Sequence, residues 1–107
     1  MASERQLRIQ DQLRVFASEF INEDSNRQTL ITVTHVTVSP DLRQATVYIS
    51  VFPEDQEHAA LDYLKRKRPL LRAFIMKKVH LKQIPFFEIE LDLGEKHRQR
   101  IDEALKN

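Results

Sequence analysis

The chain has 107 residues, a net charge of +1, and is 41% hydrophobic and 31% charged. That suffices for one domain around one core, and no apolar run approaches the ~20 residues that cross a bilayer. With no cysteine, a disulfide framework, a cysteine zinc site and a thiol nucleophile are all excluded.

The opening Met-Ala-Ser-Glu-Arg-Gln has no apolar segment of the secretory kind, so a cytoplasmic protein is expected. From Arg5 to about Glu23 the spacing predicts a helix. Leu7, Leu13, Phe16, Phe20 and Ile21 form its apolar stripe, and Ser3 is placed to cap it. Glu23-Asp24-Ser25-Asn26 is loop chemistry. Leu30 to Val38 reads as a strand rich in threonine and valine. Its phase shifts near His35: Ile31 and Val33 are odd, Val36 and Val38 even. One extra residue there predicts a β-bulge. A tight Ser39-Pro40-Asp41-Leu42 turn leads to a second strand, Leu42 to Phe52, with Ala45, Val47, Ile49 and Val51 on one face.

Pro53 closes that strand. Glu54 to about Arg66 reads as a helix with Ala60, Leu61 and Leu64 inward. Pro69 then predicts a break near Arg68, because the residue before proline avoids the α region and the ring obstructs the preceding turn. A further helix, Pro69 to about Val79, carries Leu70, Leu71, Phe74, Ile75 and Val79 as its stripe. Pro85 opens a third strand, Phe86 to Leu91, where Phe87, Ile89 and Leu91 alternate with Phe86, Glu88 and Glu90. Gly94 is expected to turn the chain into a short charged helix, Glu95 to Leu105. The sum is an α+β layer, a three-stranded sheet with helices on one face and a kinked helix pair at Pro69. The pattern leaves open which strand the third one joins.

Charge is distributed unevenly along this order. No Asp or Glu lies between Asp62 and Glu88, while Lys65, Arg66, Lys67, Arg68, Arg72, Lys77, Lys78 and Lys82 fall in one segment. The rest of the chain is therefore net acidic. A basic segment on an acidic body suits a polyanion, and its bases supply sequence-independent affinity for nucleic acid. Arg68, Arg72 and Lys78 fall off the apolar stripe, as do Lys65 and Lys82 beyond its ends, so one positive surface beside the kink is expected. Arg66, Arg68 and Arg72 are the strongest phosphate ligands by type, since guanidinium binds phosphate bidentately. The plainer alternative is a solvated helix face.

Other chemistry is sparse. Tyr48 and, more weakly, Phe86 are the aromatics that stacking on bases could use, against packing within the fold. So little aromatic surface predicts recognition of shape and backbone rather than of bases. His35, His58, His80 and His97 show no metal-ligand spacing, and scattered surface histidines are expected. Glu88, Glu90 and Asp92 are expected to face solvent. One glycine cannot build a phosphate loop or a dinucleotide fingerprint, so no enzyme and no cofactor is expected.

Three motifs, in order, resemble the ribosome-binding factor A family. They are Thr32-Val33-Thr34-His35-Val36-Thr37-Val38-Ser39-Pro40-Asp41-Leu42 with Ala45-Thr46-Val47-Tyr48-Ile49, then Leu81-Lys82-Gln83-Ile84-Pro85, then Arg100-Ile101-Asp102. The resemblance runs from about Leu7 to Leu105. It implies a type II KH-like fold of order αββααβ without the usual G-x-x-G loop. Residues 1–107 would then form a single KH-like ribosome-binding domain, expected to be a monomer away from membranes. The implied role is that of a non-enzymatic assembly factor. It would bind free or immature 30S small subunits through 16S rRNA and assist late maturation, including processing of the 5′ end. Two positions depart from the family: Lys67-Arg68-Pro69 stands where it has Ala-x-Gly, and Ser25-Asn26-Arg27 where it has Asp-Pro-Arg. The alternative is a protein–protein module whose sheet edge and basic helix dock an acidic partner.

Overall fold

The computed structural model describes residues 2–24 and 29–94. The first helix, α1 (Glu4–Asp24), is opened by a capping box. Ser3 Oγ accepts from the Gln6 amide at 3.1 Å, and Gln6 Oε1 accepts from the Ser3 amide at 2.9 Å. Ile9, Leu13, Ala17 and Ile21, four residues apart, form its buried row. Phe16 and Phe20 pack beside them, half-buried. Leu7, expected in the stripe, is 54% exposed. It lies off the row, and the alanine takes an inward position because a small side chain lets the helix approach the sheet closely.

The two following strands are β1 (Leu30–Val38) and β2 (Gln44–Phe52), paired antiparallel. Val33 faces Ile49 and His35 faces Tyr48, which leaves Thr34 as the extra residue of the bulge. The phase shift in the sequence is this bulge: Ile31 and Val33 before it and Val36 and Val38 after it are all buried. The second strand starts at Gln44 rather than Leu42. Leu42 sits in the turn at φ 61°, where its amide donates to the Ser39 carbonyl at 2.9 Å. A left-handed leucine costs about 1–2 kcal/mol, offset here by its side chain packing half-buried on the core.

After Pro53, Glu54–Gln56 form one 3₁₀ turn before α2 (Glu57–Arg66). The next helix, α3 (Arg68–Lys78), follows after the single residue Lys67. Leu64, Leu71 and Ile75 are buried, while Leu70 is 55% exposed. The third strand, β3 (Phe86–Leu91), runs parallel to β2, from Gln44↔Phe86 to Ile49↔Leu91. The sheet order is β1-β2-β3, with the hairpin's second strand in the centre. This settles the position the sequence left open. The inward faces of all three strands, Val47, Ile49 and Ile89 among them, meet α1, α2 and α3 in one core. The αββααβ order and helices on one face are those expected.

The outer edge of β1 is covered at one end. Gln6 Nε2 donates to the Val38 carbonyl at 3.2 Å and Gln10 Oε1 accepts from the Val38 amide at 3.1 Å. Both backbone groups of that residue are thereby satisfied by side chains of α1. Leu93 and Gly94 begin a helical turn after β3. Gly94 stands in that turn, as expected, without a positive φ. The helix read over Glu95–Leu105, together with His97, lies outside the described residues.

Candidate nucleic-acid interface

The helix break is built by proline chemistry. A continuous helix would direct the amide of residue 69 to the Lys65 carbonyl, but Pro69 has no N–H. The Arg68 side chain takes that place, with Nε donating to the Lys65 carbonyl at 3.0 Å. Lys67, at φ −89° and ψ 1°, ends α2 and precedes α3. Pro69 thus stands in the first turn of α3, where a missing N–H costs nothing.

Between this break and the start of β3 lies an open groove of about 570 Å³. Its apolar surface comes from Pro69, Ala73, Met76 and Phe86, and its basic side from Lys65, Arg66, Arg68 and Arg72. Helical spacing places Arg68, Arg72 and Met76 on the side of α3 that meets the groove, and Leu70, Phe74 and Lys78 on the side toward α1. Lys65 and Arg66 occupy the last turn of α2, where the helix dipole favours cations.

Of the five bases expected to share one surface, Lys65, Arg68, Arg72, Lys78 and Lys82, one departs from it. Lys78 turns to α1, with Nζ 3.8 Å from Glu19 and 5.2 Å from the Phe74 ring centroid. Lys67 lies 5.4 Å over the Tyr63 ring. Arg68 Nη1 donates to Glu88 Oε1 at 2.8 Å, which offsets its charge within the groove. Arg72 is tied to the fold. Its Nη2 donates to the Ile84 carbonyl at 3.0 Å, its Nε to the Pro85 carbonyl at 3.3 Å, and the guanidinium lies 4.7 Å over the Phe86 ring. Lys65, Arg66, Lys77 and Lys82 are exposed and form no ion pair with the described residues. Of the three arginines read as phosphate ligands, only Arg66 has its guanidinium uncommitted there.

Phe86 is 64% exposed and presents its ring to the groove. In the sequence it ranked behind Tyr48, because an exposed and a packed aromatic look alike in an alternating strand. Tyr48 stacks on His35, ring centroids 4.3 Å apart and planes at 11°.

The open face of the sheet carries a second polar group. Thr34, the bulged residue, donates to Asp92 Oδ2 at 2.6 Å and lies 3.2 Å from the Tyr48 carbonyl. His35 Nδ1 stands 3.4 Å from the same carboxylate. Asp92 was expected to face solvent with Glu88 and Glu90, yet its side chain is only 15% exposed. The bulge turns Thr34 toward it, which no alternation pattern would reveal. In the hairpin turn, Asp41 is held below the usual carboxylate range by the Ser39 hydroxyl at 2.6 Å, then by the Arg43 amide at 3.1 Å and the Arg43 charge.

A family model described as ribosome-binding factor A matches residues 5–105. Ribosome-binding factor A of Desulfitobacterium hafniense is 34% identical over 109 residues, covering 99% of this chain and 87% of that protein. The Thermomicrobium roseum protein of the same description is 30% identical over 99% of this chain and 84% of its own length. The crystal structure of ribosome-binding factor A from Thermus thermophilus superposes with a TM-score of 0.73 at 28% identity, over 80% of this chain and 93% of that one. A model of the Thermus thermophilus factor, fitted into a cryo-EM map of its complex with the 30S subunit, gives 0.65 at 30% identity, over 74% and 86%.

Proposed function

The chain belongs to the ribosome-binding factor A family, and on that premise we propose that it is a non-enzymatic assembly factor of the 30S small subunit. It binds the free or immature subunit through 16S rRNA and assists late maturation, including processing of the 5′ end. Residues 1–107 act as one domain and as a monomer in the cytoplasm. Its RNA-binding surface lies in the basic segment between Lys65 and Lys82, with Lys78 turned away toward Glu19. Lys65 and Arg66 on the groove, with Lys77 and Lys82 along the exposed surface, meet phosphates. Arg72 and Arg68 hold the shape they act from. The observation that carries this reading is the cationic groove at the helix break, in a fold shared with the factor fitted to the 30S subunit. Binding works by stabilising one rRNA conformation over another, after which the factor leaves.

Sedimentation through a sucrose gradient tests the reading. Tagged protein in a bacterial lysate is expected to travel with free small subunits, not with full ribosomes, and to leave them at high salt. Remaining at the top of the gradient in both salts would overturn the subunit assignment and favour docking of an acidic protein by the sheet edge and basic helix.

A further inference from the structure

The aromatic in the groove departs from a purely electrostatic interface. Phe86 is the first residue of β3 and is 64% exposed. An exposed phenylalanine beside cations with no ion pair among the described residues has no role in the core, whose strand positions are filled by Phe87 and Ile89. One face of its ring is covered by the Arg72 guanidinium, itself fixed by the Ile84 and Pro85 carbonyls. The ring is thus held on a rigid support with its remaining surface turned to the groove. Pro69, Ala73 and Met76 supply apolar walls, and the cavity lies within the ~300–1,000 Å³ typical of small-ligand sites.

We infer that this groove takes one unpaired nucleobase, stacked on the open face of Phe86, with the flanking phosphates on Lys65 and Arg66. The inference rests on the RNA-binding reading above and adds base stacking to it. Charge selects the occupant: an apolar segment of protein would leave Lys65 and Arg66 without counter-charge, whereas a nucleotide brings an apolar ring and an anion together. Stacking of this kind tolerates any base, because every base has a π-face. A base held in a duplex cannot enter, so unpaired RNA is preferred over paired RNA of the same charge.

The chain has no tryptophan, so Phe86→Trp introduces a single fluorophore at the proposed site. The probe is a short, labelled, mixed-sequence single-stranded RNA, with its blunt duplex as control and anisotropy as the binding readout. The tryptophan emission is expected to be quenched by the single strand and little changed by the duplex. Phe86→Leu, which keeps an apolar side chain at an exposed position, is expected to weaken single-strand binding by roughly 5- to 100-fold and to erase the preference over duplex. Unchanged emission at saturation, with Phe86→Leu binding like the parent, would overturn stacking and leave phosphate binding standing. Absence of binding to both RNAs and to purified small subunits would overturn the RNA-binding reading and stacking together.

Discussion

Replacing Arg72 by lysine keeps the charge but loses the planar fork that reaches the Ile84 and Pro85 carbonyls together. Both residues are buried, so Arg72→Lys is expected to destabilise the fold by about 1–3 kcal/mol in urea unfolding. Lys65 and Arg66 are solvated, and Lys65→Ala with Arg66→Ala should shift stability by no more than about 0.5 kcal/mol each. The same pair should weaken binding to small subunits, and an unaltered subunit affinity would remove both from the interface. Asp41 gives a pH signature. Its folded pKa is lowered by Ser39 and Arg43, so its contribution is complete above the unfolded carboxylate value near 4 and is lost as pH falls through the folded value. Melting temperatures of the parent and Asp41→Ala are therefore expected to differ at neutral pH and to converge in acid.

The bulge and the helix break are two irregularities that the sequence announced, and both lead to chemistry. The phase shift near His35 was legible because burial flips with strand parity. That the extra residue would be Thr34, and that it would reach Asp92 58 residues away, was not, since alternation carries no information about partners across a sheet. Thr34→Ala should cost about 1–2 kcal/mol, measured by urea unfolding, because it leaves a half-buried carboxylate without its hydroxyl donor. Pro69 was legible as a break, but the structure puts the break at Lys67, with Arg68 already helical and Pro69 in the first turn of α3. The role of Arg68 in replacing the missing donor was not, because a side chain reaching its own preceding turn leaves no periodic trace. Pro69→Gly is expected to lower stability by about 0.4–1 kcal/mol through a looser unfolded chain. The break at Lys67 should persist, since Leu64 and Leu71 anchor the helices on either side. A crystal structure of the variant with one continuous helix would refute this.

At the scale of the molecule, element order and the inward faces of the strands were readable from pattern alone, because each strand contrasts a buried face with a wet one. The place of β3 was not readable, since it depends on pairing between distant segments. The candidate site was half legible. Composition located the basic segment, but the division of its residues between fold and surface depends on Glu19, Glu88 and two backbone carbonyls supplied by other elements. That division sets the salt dependence. If Lys65 and Arg66 meet phosphates, reversing both to glutamate should reduce the slope of log affinity against log salt by about two. Reversing Lys78, which turns to Glu19 on the far side of α3, should leave the slope nearly unchanged.

The parallel pairing of β2 with β3 has a consequence in time. The β1–β2 hairpin closes through a turn of a few residues, but β3 can join β2 only after the whole stretch from Pro53 to Pro85 has been drawn back across the sheet. Long closures of this kind are slow to form, because much chain must be ordered before any contact rewards it. Phe86 enters the groove, and Arg72 finds its two carbonyls, only when that closure is complete. The groove is therefore expected to depend on that pairing, and hydrogen exchange of the β3 amides is the measurement that reports its opening.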